Sequence, residues 1–125
     1  MNGEARVKKA IASLSEQDLF VSVVSIGELA KGIALLDEGR KKNDLGEWLL
    51  GLERDYGTRI LAIDMEIART WGEITASARR KGAVIGACDG LIAATAVRHG
   101  LVVMTRNTRD FEGTGARLLN PWASS

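Results

Sequence analysis

Residues 88–111 read CDGLIAATAVRHGLVVMTRNTRDF. The alanine-rich first half predicts a helix that ends at Gly100, because glycine is favoured just past a helix end. The apolar run Leu101–Thr105 follows directly and predicts a buried strand. Asp89 then lies in the first turn of the helix, and Asp110 lies in the loop that leaves the strand. A helix that runs straight into a strand is typical of an α/β fold.

The N-terminal half of the chain continues this alternation. Apolar residues at helical spacing predict an amphipathic helix over residues 3–14. Residues 19–24 are rich in β-branched and aromatic side chains and predict a buried strand, after which Ser25 opens a helix. That helix and the next, centred on residues 45–52, are separated by a turn at residues 39–42, so the pair is predicted to form a helical hairpin.

Two further strands complete the predicted architecture. Residues 59–63 predict a short strand, followed by a helix with Asp64 as its N-cap and Gly82 at its close. Residues 116–119 predict an edge strand, where a proline soon afterwards is tolerated. The chain is therefore predicted to be a single α/β domain over residues 1–125, with a short parallel sheet flanked by helices.

This topology brings three carboxylates to one edge of the predicted sheet. Glu28 lies in the helix after the first strand, and helices that follow parallel strands start at the carboxyl edge. Asp110 leaves a strand at that edge, and the helix of Asp89 runs antiparallel to its strand, so its N-terminus lies there too. A cluster of like charges is costly unless a cation neutralises it, and oxygen ligands favour Mg²⁺ or Mn²⁺. With one Cys and one His in the chain, zinc is not expected.

The composition is that of an ordinary globular protein. At 125 residues, with 46% hydrophobic and 26% charged, the chain is long and apolar enough for one core. The net charge of +1 neither demands nor excludes nucleic acid, so such a role must come from local patches. No apolar stretch approaches a membrane span and the single Cys88 cannot form an internal disulfide, so we expect a cytoplasmic protein without membrane contact.

Each acid also has a purely structural interpretation. Ser25 and Glu28 have the spacing of a capping box, in which the glutamate bonds back to the amide of the cap. Asp89 in a first helical turn suits the helix macrodipole without any metal, and Asp110 can cap or close a turn. Only their convergence favours a metal site.

Cys88 is expected to be a small buried side chain rather than a nucleophile.

Four motifs, spread over nearly the whole chain, carry a family resemblance. They are Val24–Gly32, Asp89–Ala96, Thr105–Asn107 with Asp110–Phe111, and Leu119–Trp122. Through them the sequence resembles the PIN-domain ribonucleases, and within these the VapC-type toxins of bacterial toxin–antitoxin pairs. The resemblance implies a three-layer PIN-like fold and a Mg²⁺- or Mn²⁺-dependent endoribonuclease, in which a metal-activated water cleaves an RNA phosphodiester.

The same resemblance implies a role for each candidate site residue. The implied metal ligands and catalytic acids are Glu28, Asp89 and Asp110. The residues implied to orient ligands or substrate are Thr105 and Asn107. Arg106 and Arg109 flank this acidic site in the sequence and are expected to hold RNA phosphates.

The chain departs from the family at its start. VapC-type toxins normally begin with a short apolar strand that ends in an aspartate and lies centrally in the sheet, whereas this chain begins Met1-Asn2-Gly3. Loss of a central strand leaves buried polar groups unpaired, at about 1–3 kcal/mol each, so we expect the native start to lie upstream. The other interpretation is a decayed toxin that keeps only part of its site.

Two functions follow from these interpretations. The first is a toxin ribonuclease that forms a homodimer and is restrained by a cognate antitoxin, whose C-terminal segment blocks the metal site. The second is a non-catalytic remnant that binds an antitoxin and modulates operon regulation without cutting RNA. Metal-dependent cleavage that is abolished by Glu28→Gln would exclude the second.

Overall fold

The computed structural model describes residues 19–121, and the predicted helix over residues 3–14 lies outside this range. The contacts of the chain divide the described part into two compact units, Leu19–Ala62 and residues 63–121. Within the described residues, each unit contains two α-helices and one pair of parallel strands. The predicted α/β class with parallel strands is therefore confirmed.

The first unit is a strand pair and a helical hairpin. Its elements are β1 (Val21–Ser22), α1 (Val23–Ala34), α2 (Arg40–Tyr56), a 3-10 helix (Gly57–Arg59) and β2 (Ile60–Leu61). β1 and β2 pair in parallel, with Val21 opposite Ile60. α1 packs against α2, so the predicted hairpin is confirmed, although α2 starts at Arg40, inside the predicted turn. No helix within residues 19–121 has the length and apolarity needed to cross a membrane.

The start of α1 corrects the sequence-based prediction. The strand is limited to Val21–Ser22, and the helix begins at Val23 rather than after Ser25. The hydroxyl of Ser22 accepts a 3.1 Å hydrogen bond from the amide of Val24, which satisfies one of the free amides at the helix start. Because this cap lies three residues earlier, Ser25 is inside the helix and the predicted capping box with Glu28 is wrong.

The second unit places two helices before a strand pair. Its elements are α3 (Met65–Arg80), α4 (Ala87–His99), β3 (Val102–Met104), a 3-10 helix (Thr108–Phe111) and β4 (Arg117–Leu119). The predicted caps are confirmed. The Asp64 carboxylate accepts a 2.8 Å bond from the amide of Ile67, and Gly82 follows the end of α3 with φ of +81°. Gly100 ends α4 in the left-handed conformation, with φ of +67°, which glycine adopts without steric cost.

The strands of the second unit are short and parallel. In the register of β3 and β4, Val103 lies opposite Leu118. The amide of Thr105 adds a 3.0 Å bond to the carbonyl of Leu119 just beyond the end of β3. The four described strands thus form two separate pairs. Each strand is shorter than the apolar run from which it was predicted.

The core of the second unit lies beneath α4. Ala93 and Ala96 of α4 form a buried cluster with Val103 of β3 and Phe111 of the 3-10 helix. Small side chains on this face let α4 approach its neighbours closely, and α3 packs against α4 as well. A salt bridge from Arg98 to Glu66 also joins the two helices. α4 is therefore held by packing from several elements of this unit.

Candidate active site

Asp89 lies in the first turn of α4, as predicted. Gly86 is the N-cap residue, and its carbonyl accepts a 2.9 Å bond from the amide of Gly90, which closes the turn that contains Asp89. The carboxylate lies beside the cap, since a Cβ on Gly86 would be 3.7 Å from Asp89 Oδ2. Asp89 is half-buried. The backbone at this acid is thus fixed, and its charge is partly removed from water.

Asp110 lies in the 3-10 helix that follows β3, as the loop position predicted. Its amide donates a 3.1 Å bond to the carbonyl of Asn107, and the amide of Asn107 donates a 3.0 Å bond to Thr105 Oγ1. Thr105 is itself tied to Leu119 of β4 through its backbone. This chain of bonds connects the exposed Asp110 to the strand pair, so Thr105 and Asn107 shape the segment that carries the acid.

The two acids interact electrostatically. Partial burial raises the pKa of the Asp89 carboxyl above its ordinary value of 3.8, and the negative charge of Asp110 raises it further. The structure therefore brings together two of the three predicted acids. Within residues 63–121, no group of three His, Cys, Asp or Glu side chains is placed to hold a metal ion.

Glu28, the third predicted acid, lies in the first unit. It is an exposed residue of α1, and Ser22 rather than Ser25 caps that helix. Glu28 therefore has no part in the cap, and its predicted role as a metal ligand stays a prediction.

The two predicted phosphate-binding residues both lie beside Asp110. Arg109 precedes it in the 3-10 helix, and Arg106 lies in the segment between β3 and that helix. Both side chains are exposed. The carbonyl of Arg106 accepts a 3.3 Å bond from Asn120 Nδ2, which holds this segment to the chain beyond β4. The sequence pattern gave no sign of this role for Asn120.

Two features near Asp89 differ from the sequence-based expectation. Cys88, in the first turn of α4, is exposed rather than buried. Gly90 is buried against Trp71 of α3, a contact that the sequence analysis does not predict. The signal for this contact was a glycine inside an alanine-rich helix, where it is unfavourable unless a neighbour needs the space.

Comparison with known proteins places the chain in a family. The sequence model of the PIN domain matches residues 2–116. Toxin FitB of Neisseria gonorrhoeae is 39% identical over 118 residues, which are 94% of this chain and 85% of FitB. VapC ribonuclease Y4jK of Sinorhizobium fredii is 36% identical over 107 residues, which are 85% of this chain and 76% of that protein.

The fold agrees with the sequence comparison. The solved structure of FitAB bound to an IR36 DNA fragment contains a chain that is 36% identical and superimposes with a TM-score of 0.89. The match covers 96% of this chain and 85% of that one. The chain therefore belongs to the PIN domain family and, within it, to the VapC-type toxins.

Proposed function

We propose that this protein is the toxin of a toxin–antitoxin pair and that it cleaves RNA phosphodiesters with the help of Mg²⁺ or Mn²⁺. The observation that supports this most directly is the electrostatic interaction between Asp89 and Asp110. One acid lies at the start of a packed helix, and the other lies on the segment that leaves a parallel strand. Ligand sites of α/β proteins are found at such edges.

The two carboxylates suit a divalent cation. Each raises the energy of the other in its charged form, and a bound cation would remove that repulsion. Their oxygen atoms are hard ligands of the kind that Mg²⁺ and Mn²⁺ prefer. Asp89 and Asp110 would hold the ion, with Glu28 as the third proposed ligand. When bound, such an ion lowers the pKa of water and so supplies a hydroxide-like nucleophile at neutral pH.

The residues around the acids would bind and orient the RNA. Arg106 and Arg109 are exposed residues of the segment that carries Asp110, and guanidinium groups match the geometry of phosphate oxygens. Thr105 and Asn107 hold the backbone of this segment, so Arg109 would bind a phosphate close to Asp110. Such fixed placement of substrate beside the reacting groups is a main source of rate enhancement.

An antitoxin is the proposed protein partner. FitB is named a toxin, and the matching solved structure is a FitAB complex on DNA. By analogy, a cognate antitoxin of this chain would bind it and restrain RNA cleavage. We also propose that the chain forms a homodimer, which size-exclusion chromatography with light scattering would test.

The function is tested by RNA cleavage with matched variants. We expect the 125-residue chain to cut RNA in Mg²⁺ or Mn²⁺ and not in EDTA. Asp89→Asn and Asp110→Asn should each reduce the rate by about a hundredfold or more, since even outer partners of a metal are worth about 10- to 100-fold. Glu112→Gln is the control, because it removes one exposed negative charge two residues from Asp110. Cleavage that persists in EDTA, or that is unchanged in Asp89→Asn, would contradict the proposal.

A further inference from the structure

Trp71 of α3 packs directly on the backbone of Gly90, the residue after Asp89. A Cβ built on Gly90 would lie 2.9 Å from Trp71 Cδ1 and 3.0 Å from Nε1. These distances are shorter than carbon atoms tolerate in packed interiors, so only glycine fits here without a shift of the indole or of α4. On the same side, Ile85 Cγ2 would lie 3.6 Å from that Cβ.

The polar edge of the indole is enclosed by the fold. Its Nε1 atom is fully buried and has no hydrogen-bond partner among residues 19–121. A buried unpaired N–H costs free energy, so the fold retains this ring position at some expense. A larger residue at position 90 would therefore be accommodated only by a shift of the indole, of the first turn of α4, or of both.

The first turn of α4 is also the element that carries Asp89. The bond from the Gly90 amide to the Gly86 carbonyl closes this turn, and the Asp89 carboxylate lies beside Gly86. A shift at Gly90 must therefore move Asp89 relative to Asp110, which is held by a different segment. We infer that Trp71 and Gly90 are positioning residues that set the placement of the Asp89 carboxylate opposite Asp110.

This inference rests on the proposed function for its metal readout, and Mn²⁺ binding to the full chain tests it. Isothermal titration should give a Kd for Mn²⁺ that rises about 10- to 100-fold in Gly90→Ala, the range measured for outer partners of metal ligands. Trp71→Leu, which frees the turn from its support, should also raise the Kd. The double variant should bind more tightly than either single variant, since the new methyl group fills space left by the indole.

A matched glycine separates positioning from general stability. Gly72 lies next to Trp71 in α3 and is not adjacent to any proposed site residue. Nothing lies within 4 Å of its Cβ position. Gly72→Ala should leave the Kd for Mn²⁺ within about twofold of the wild type, as expected for a change outside the metal's outer shell. Melting temperatures would be recorded for every variant. A lower melting temperature with an unchanged Kd in Gly90→Ala would show a merely structural role and overturn the inference.

A readout without metal keeps the two proposals distinguishable. In ¹H–¹⁵N spectra of the metal-free chain, Gly90→Ala should shift the amide signal of Asp110, which is distant from position 90 in the sequence, and the indole signal of Trp71, whereas Gly72→Ala should leave the Asp110 signal in place. If the wild type binds no Mn²⁺ but these shifts occur, the metal-dependent function fails and the positioning contact stands. If the Asp110 signal is unchanged in Gly90→Ala, the inference fails whatever the wild type binds. If Gly90→Ala does not fold, the Asp110 amide signal and the Mn²⁺ titration of Trp71→Leu decide the matter.

Discussion

Helices α1 and α4 each carry an acid predicted for the site, yet they are packed very differently. α1 has the more apolar sequence, VVSIGELAKGIA, but none of its residues is buried. α4 has five buried residues, all of them small or polar. The comparison teaches that the apolarity of a helix does not determine its burial. Close packing of α4 depends on alanine and glycine, which let neighbouring elements approach its backbone.

The difference extends to the acids themselves. The first turn of α4 is held by Trp71 and closed by Gly86, and Asp89 there is half-buried and faces the charge of Asp110. Glu28 on α1 is exposed. The pKa of an acid in an early helical turn is raised where the turn is packed and another acid lies near. Within the second unit, only Asp89 meets both conditions.

The largest expected effect is the loss of core packing beneath α4. Phe111 is 6% exposed and packs in the cluster with Ala93, so Phe111→Ala should lower the free energy of unfolding by about 3 kcal/mol or more. Leu29 on α1 is 36% exposed, and Leu29→Ala should cost about 1 kcal/mol or less. Urea denaturation of both variants would measure these two losses in the free energy of unfolding. Equal losses would break the contrast between the two helices.

A smaller effect should mark the start of α1. Ser22→Ala removes the hydroxyl that accepts the Val24 amide, at a cost of about 1 kcal/mol. Ser25→Ala lies inside the helix and should change stability by a few tenths of that, since alanine is the better helix former. The same denaturation experiment compares them. A larger loss in Ser25→Ala would restore the capping box with Glu28 that the structure replaces.

The smallest effect is the dependence of stability on pH at Asp89. Folding raises the pKa of this carboxyl, so its contribution to stability is full below about pH 3.8 and is lost as pH rises through the folded value. At neutral pH the ionised carboxylate therefore opposes folding. Asp89→Asn should raise the free energy of unfolding at pH 7 by at most about 1 kcal/mol, the scale of partly exposed charges.

This gain should shrink as the pH falls and should vanish below about pH 3.8, because the wild-type carboxyl is then protonated in both states. Glu28→Gln is the control variant, because it removes the exposed acid of α1. Denaturation in metal-free buffer at several pH values provides the measurement. A wild type that is more stable than Asp89→Asn at pH 7 would contradict the raised pKa of Asp89, which burial and the charge of Asp110 produce.

Sequence patterns predicted the elements of the second unit because their signals are local. Asp64 and Gly100 mark helix ends through their own side chain or backbone, and both predictions were confirmed. The start of α1 was missed because Ser22 and Ser25 both suit an N-cap, and the choice depends on how many residues pair with β2. The contact of Trp71 with Gly90 joins two helices, and no local pattern specifies such a distance.

The meeting of Asp89 and Asp110 could be predicted because parallel topology fixes which strand and helix ends share an edge. The measurement that tests the central claim most directly is a calorimetric Mn²⁺ titration of the wild type, Asp89→Asn, Asp110→Asn and the control Glu112→Gln. We predict one Mn²⁺ site that is kept in Glu112→Gln and lost or weakened at least about tenfold in each aspartate variant. Equal Mn²⁺ affinity in the wild type and Asp89→Asn, or no binding by the wild type, would contradict the assignment of these two acids as metal ligands.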